Sequence, residues 1–129
     1  MPLSFPIFTD SPEALQKSLS GSTKPQYVIF FASLKPETNE SWCGDCRSAE
    51  GPLSEKLHIA AKEDRVKLIY GGSQAEWRDL SPGKKSLWRD EPWGIDRLPT
   101  LVKITGEKWE KLIEEDCYNE KKLSDFVEE

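Results

Sequence analysis

Apolar blocks alternate with polar, turn-rich stretches along this chain, and the spacing within each block predicts its element. Phe5, Ile7 and Phe8 suggest a short first strand. Thr9-Asp10-Ser11-Pro12-Glu13 reads as a helix start with Pro12 in the first turn; Ala14, Leu15 and Leu19 supply its apolar side, and Gly21 suits its end. Tyr27 to Ala32 is almost wholly apolar and aromatic, as expected of a strand buried on both faces. A polar stretch from Ser33 to Ser41 follows. A helical run from Arg47 to Ala61 begins at a cysteine, Cys46, and carries Ala49, Leu53, Leu57 and Ala61 on one face. Pro52 should kink or interrupt it.

Val66 to Tyr70 reads as another central strand, closed by Gly71-Gly72. The pattern weakens from Ser73 to Asp96, where a loop and a short helix near Ser81-Pro82 are expected. Leu101 to Ile104 is a strand, Thr105 to Lys108 a turn, and Trp109 to Ile113 the hairpin partner. Asn119 should cap a last helix that turns Leu123, Phe126 and Val127 to the core. The order β-α-β-α-β-α-β-β-α implies an α/β fold, a central mixed sheet flanked by helices on both faces.

The 129 residues suffice for one domain over positions 1–129. A formal charge of −5 argues against nucleic acid as a partner. No apolar run approaches a membrane span. Met1-Pro2-Leu3-Ser4-Phe5-Pro6 lacks the basic start and apolar core of a signal peptide, so a soluble cytoplasmic protein, a monomer, is the expectation. Three cysteines fit that compartment better than a secreted scaffold, which would carry more and in even number.

The cysteines bring in chemistry. Ser41-Trp42-Cys43-Gly44-Asp45-Cys46 follows the inner strand and leads into a helix. A cysteine at a helix N-terminus sits among unpaired N–H groups at the positive end of the dipole, and both favour the nucleophilic thiolate. Cys43 is thus the expected nucleophile, and Cys46, one turn on, the resolving thiol that breaks the mixed disulfide. Zinc is the rival use of such a pair, but it needs four ligands. Only Cys117 and His58 remain, and His58 lies about 22 Å along the same predicted helix at 1.5 Å per residue. No metal is expected.

Strand, Trp42-Cys43-Gly44-Asp45-Cys46 and helix, together with Gly94-Ile95-Asp96-Arg97-Leu98-Pro99-Thr100-Leu101 before a later strand, resemble thioredoxin. The chain is similar in particular to the thioredoxin domain-containing protein 17 family. Ser41-Trp42-Cys43, Asp45-Cys46, Ala49-Glu50, Trp77-Arg78-Asp79, Leu98 to Leu101, Glu115-Asp116-Cys117 and the polar loop Leu34 to Glu40 carry the likeness. Gly44 stands where that family often has proline, and Pro52 is displaced by one residue from the usual helix proline. The resemblance implies the thioredoxin fold. It also implies a disulfide reductase without a bound cofactor, recharged by NADPH through thioredoxin reductase. Its implied range is narrower than thioredoxin's, favouring cystine and other small or accessible disulfides, protein disulfides included.

The same resemblance makes Pro99 a cis-proline that presents the Leu98 backbone beside Cys43 to an extended substrate, with Trp42 on the docking surface. Asp45 has two readings: an acid suited to a helix's first turn, or a modulator of cysteine ionisation. The second has a reason, since thioredoxin's buried acid has no counterpart in Val28-Ile29-Phe30. Glu37 and Glu40 of the polar loop are expected near Cys43, where they would repel acidic partners or crowd large ones. Trp77, Trp88 and Trp93 are expected to hold the weakly patterned segment against the core, and Cys117 to be a buried small hydrophobe. A second function class fits the same residues: a redox-sensing binding module whose partner affinity changes on oxidation, with little turnover.

Overall fold

A computed structural model describes residues 3–127; Met1 and Pro2, part of the N-terminal stretch considered above, lie outside it. Helix α1, Pro12–Leu19, begins where Ser11 Oγ accepts the Ala14 N–H at 3.1 Å, and Pro12 takes the first position. Gly21 follows its end at φ +78°, a conformation that costs glycine little. Strand β1, Gln26–Phe31, is buried from Tyr27 onward because it has neighbours on both edges. It pairs in parallel with β2, Val66–Tyr70, and antiparallel with β3, Thr100–Thr105. Gly106 at φ +63° turns β3 into β4, Lys108–Ile113, giving the order β2-β1-β3-β4.

The expected first strand is reduced to one bridge. Ile7 sits opposite Leu68, Phe8 N–H donates to Leu68 O and Leu68 N–H to Pro6 O, both at 2.8 Å, and no strand forms around them. Pro6 has no N–H to extend the ladder. The sheet therefore has four strands.

Helices cover both faces. On the Tyr27 face lies α5, Glu120–Val127: Tyr27 Oη donates to Val127 O at 3.2 Å and Lys103 Nζ to Phe126 O at 2.8 Å. Asn119 caps it, Oδ1 accepting the Lys122 N–H at 3.0 Å. On the Phe30 face, Trp93 stacks edge-on with its ring centroid 5.7 Å from that of Phe30, and its Nε1–H reaches Pro12 O of α1 at 3.3 Å. Trp88 and Trp109 close on Trp93 with centroids at 5.2 and 4.7 Å. The buried side chains form one cluster.

The central helix differs from its expected bounds. It begins at Gly44, with Cys43 rather than Cys46 at its cap, and runs as α2, Gly44–Lys56. Pro52 is accommodated inside it. The break comes at Leu57, whose side chain is fully buried while its φ and ψ of −100° and 4° leave the helical range. A short α3, His58–Lys62, resumes, so His58 stands on a separate helix from Cys43. The register turns with that break, and Ala60, not Ala61, enters the core. The helix expected near Ser81-Pro82 is a turn. The segment's helix is α4, Gln74–Arg78, held by a reciprocal cap in which Ser73 Oγ accepts the Glu76 N–H and Glu76 Oε1 the Ser73 N–H.

Candidate active site

The cap position decides what Cys43 becomes. Its backbone is extended, φ −99° and ψ 123°, so its side chain folds back over the first turn of α2. Sγ accepts the Cys46 N–H at 3.3 Å, in the role that serine or aspartate plays at other helix starts. Cys43 is half-buried and Cys46 fully buried behind it; both are free thiols, as is the buried Cys117. Cys46 Sγ in turn accepts the Ala32 N–H at the end of β1, at 3.5 Å.

These contacts divide the two ionisations. The Cys43 thiol is lowered from 9.0 to about 7. The Cys46 thiol, which hydrogen-bonds to its sulfur, does most of this, and the N–H groups of Cys46 and Asp45 add to it against the cost of burial and the charge of Asp45. Cys46 moves the other way: it gives its hydrogen bond to Cys43 and is desolvated, so it keeps its proton. At pH 7 about half of Cys43 is thiolate, against about one in a hundred at the ordinary value. One sulfur is partly ionised and the other keeps its proton.

The segment before β3 closes over this pair. The Leu98-Pro99 bond is cis, and the Cys43 thiol points to Leu98 O at 3.6 Å. Trp42 packs half-buried beside Cys43, its Nε1–H donating to Gly72 O at 2.9 Å. Ser41, fully buried, ties the motif to β1 through Ala32 O at 2.9 Å. Cys43, Trp42 and Leu98 thus meet at one cleft, as the sequence leads one to expect, and Trp77 lines it as well as filling the core.

Asp45 also reaches the cleft, and its partner was not foreseen. Its Oδ1 accepts from the Tyr118 hydroxyl at 2.7 Å, which pushes the phenol up to about 12. Tyr118 ends a 3₁₀ turn, Glu114–Tyr118, between β4 and α5, far from Asp45 in sequence. The acid-rich run Glu114-Glu115-Asp116 offered no sign that the tyrosine after Cys117 would turn toward the motif. Cys117 faces inward, its thiol 3.3 Å from Leu112 O, and burial pushes it up to about 12. A second cis bond, Glu91-Pro92, was likewise unforeseen.

The polar loop does not join the site. Leu34 bridges back to Ser41, and Lys35 N–H bonds to Glu40 O at 2.8 Å, closing the loop on itself. Neither Glu37 nor Glu40 lines the cleft at Cys43. His58 is exposed, with Nδ1 2.9 Å from Glu55 O. Among the described residues no group of three or more His, Cys, Asp or Glu side chains is placed to share a metal ion. No helix among them is long and apolar enough to cross a membrane.

Comparison with known proteins bears on the family and the fold. A family model described as thioredoxin domain-containing protein 17-like, thioredoxin domain, matches residues 8–129. A thioredoxin domain-containing protein of Schizosaccharomyces pombe is 28% identical over 123 residues, spanning 90% of this chain and 94% of its own. The thioredoxin-like protein Clot of Arabidopsis thaliana is 30% identical over 105 residues, 75% of each chain. Among solved structures, a thioredoxin of Malassezia sympodialis aligns with a TM-score of 0.56 at 20% identity, covering 98% of this chain and 90% of that one. That last likeness concerns the fold, and the fold is that of thioredoxin.

Proposed function

We propose, from the premise that the chain belongs to the thioredoxin domain-containing protein 17-like family, that it is a disulfide reductase working through the Cys43/Cys46 dithiol. One observation carries the reading. Cys43 is half-exposed, partly ionised at neutral pH, and backed by a buried, protonated thiol one turn along the same helix.

The chemistry follows from that division of labour. The Cys43 thiolate attacks one sulfur of a disulfide RSSR′, forming a Cys43–SR bond and expelling R′S⁻, which takes a proton from solvent. Bonding at Cys43 removes the negative charge that had kept the Cys46 proton in place. Cys46 then gives up its proton and attacks the Cys43 sulfur, releasing RS⁻ and leaving a Cys43–Cys46 disulfide. Two electrons have passed from the dithiol to the substrate; the Cys46 proton ends on RS⁻, and the proton taken up by R′S⁻ comes from solvent. Trp42 and the Leu98-Pro99 turn form the walls against which the substrate lies, and the Leu98 backbone offers an extended peptide its partners. Asp45, on the first turn of α2, tunes the ionisation of Cys43.

We place the protein in a reducing cytoplasm, with cystine and other small or accessible disulfides as substrates, protein disulfides included. NADPH and thioredoxin reductase return the electrons. The odd number of cysteines and the half-exposed Cys43 support this. A coupled assay with NADPH, thioredoxin reductase and cystine should give sustained turnover that Cys43→Ser abolishes, and Cys46→Ser should trap substrates covalently at Cys43. Stoichiometric oxidation of the pair without turnover would replace the reductase with a redox sensor.

A further inference from the structure

The cleft at Cys43, about 540 Å³, carries a charge pattern that the sulfur chemistry leaves unused. Asp45, Asp96 and Glu114 line it, and so do Arg78, Arg89 and Arg97. Two of the acids are engaged: Asp45 by the Tyr118 hydroxyl, and Glu114 by Arg97 at 3.0 Å. Asp96 is exposed. Among the described residues neither Arg78 nor Arg89 is paired with a carboxylate.

Neither arginine is held by an acid: Arg89 lies over an aromatic ring, and Arg78 lies near one while its Nη1 and Nη2 donate to the Gln74 side-chain oxygen at 2.9 and 3.1 Å. The Arg89 guanidinium carbon lies 4.1 Å from the centroid of the Trp77 ring, and Nη2 donates to Trp77 O at 2.7 Å. Its Nε is buried without an acceptor, a cost the fold carries in holding that guanidinium over the ring. The Arg78 guanidinium carbon lies 5.9 Å from the centroid of Trp42, the neighbour of the nucleophile. Stacking of this kind leaves the charge unneutralised and fixes the plane of the donors.

We propose that Arg78 and Arg89 read carboxylates, so that this cleft favours disulfides bearing a carboxylate close to the sulfur–sulfur bond. The inference rests on Cys43 as the attacking group and adds the substrate class that this site selects. A guanidinium fork matches the two oxygens of a carboxylate, and its charge attracts the anionic substrate before any bond forms. The advantage should be about three- to tenfold, the size that one exposed and one half-exposed ion contact give.

Reduced protein is mixed with dithiodipropionate, hydroxyethyl disulfide or cystamine, which are anionic, neutral and cationic. Oxidation of Cys43 is followed by acid quench, alkylation and mass spectrometry. Each rate is divided by that of the same disulfide with free mercaptoethanol, which removes differences in leaving group. The normalised rates should fall from anion to neutral to cation, and the spread should narrow as salt is raised. Arg78→Gln and Arg89→Gln should each narrow it at low salt, while Arg89→Lys, which keeps the charge, should retain more of it. Arg78 is exposed, so its variant tests the idea whatever Arg89→Gln does to folding. Equal or reversed rates in the native chain, or a spread untouched in the double Gln variant, would overturn the proposal while leaving the reductase standing. Failure of all three disulfides to oxidise Cys43 would overturn both.

Discussion

Removing the Cys46 thiol tests the electrostatic account of Cys43 directly. That thiol's hydrogen bond is the largest influence holding the Cys43 thiol down to about 7, ahead of the N–H groups of Cys46 and Asp45. Cys46→Ala deletes it and leaves the helix start intact, because the N–H of residue 46 still reaches Cys43 Sγ. A hydrogen bond to a charged group is worth about 1.5 kcal/mol at the low end of the usual range, which suits a weak S–H donor. That energy is about tenfold in the ionisation constant. The thiolate share at pH 7 should then fall from about one half to about one tenth, and the iodoacetamide rate at that pH about fivefold. Well above the midpoint, near pH 10, the two proteins should react alike. Cys46→Ser keeps a donor and should lie between them. Superimposable profiles for the Ala variant and the native chain would show that the helix start alone ionises Cys43, and the coupling described above would be wrong.

The other expectations concern neighbouring groups and the core. The charge of Asp45 raises the Cys43 thiol, so Asp45→Asn should move the alkylation midpoint to lower pH. Tyr118→Phe, which frees the carboxylate, should move it higher; if neither shifts the midpoint, Asp45 is only a helix-start residue. Burial holds Cys117 up to about 12 and keeps Cys46 protonated, so native protein at pH 8 should take one alkyl group and urea-unfolded protein three, counted by mass. Leu53 is fully buried on α2; Leu53→Ala should cost about 2–5 kcal/mol in urea unfolding, and a much smaller loss would mean that this face of the helix repacks.

Strong periodicity and chemistry with a fixed offset were legible in advance. β1, β2 and the closing hairpin follow from continuous apolar runs and their turn residues, and the Asn119 cap from side-chain chemistry. The meeting of Cys43 with Cys46 follows from their separation by one helical turn. What stayed hidden depends on contacts distant in sequence. Nothing near Tyr118 announces Asp45, and the break at Leu57 reflects how far the core draws one leucine inward. The α4 start was the exception: Ser73 and Glu76 form a reciprocal cap whose serine-to-glutamate spacing is visible in the chain, but the weak apolar pattern around it drew the expectation to Ser81-Pro82 instead. The polar loop ahead of the motif was misjudged because adjacency along the chain is not adjacency in space. Its backbone closes on itself through Lys35 and Glu40 and leaves the cleft to the Trp77 and Leu98 segments.

The hydrogen bond from Ala32 to the Cys46 sulfur ties that atom to the end of β1, the strand with neighbours on both edges. Cys43 is tied to no central strand; its Sγ meets the Cys46 N–H and Leu98 O at the junction of a loop and a helix. The two halves of the couple therefore differ in freedom. When the ring closes, the outer sulfur should travel while the inner one stays, and the change should spread along the rim without reaching the sheet. A partner that distinguishes the spent form from the charged one must do so by touching that rim.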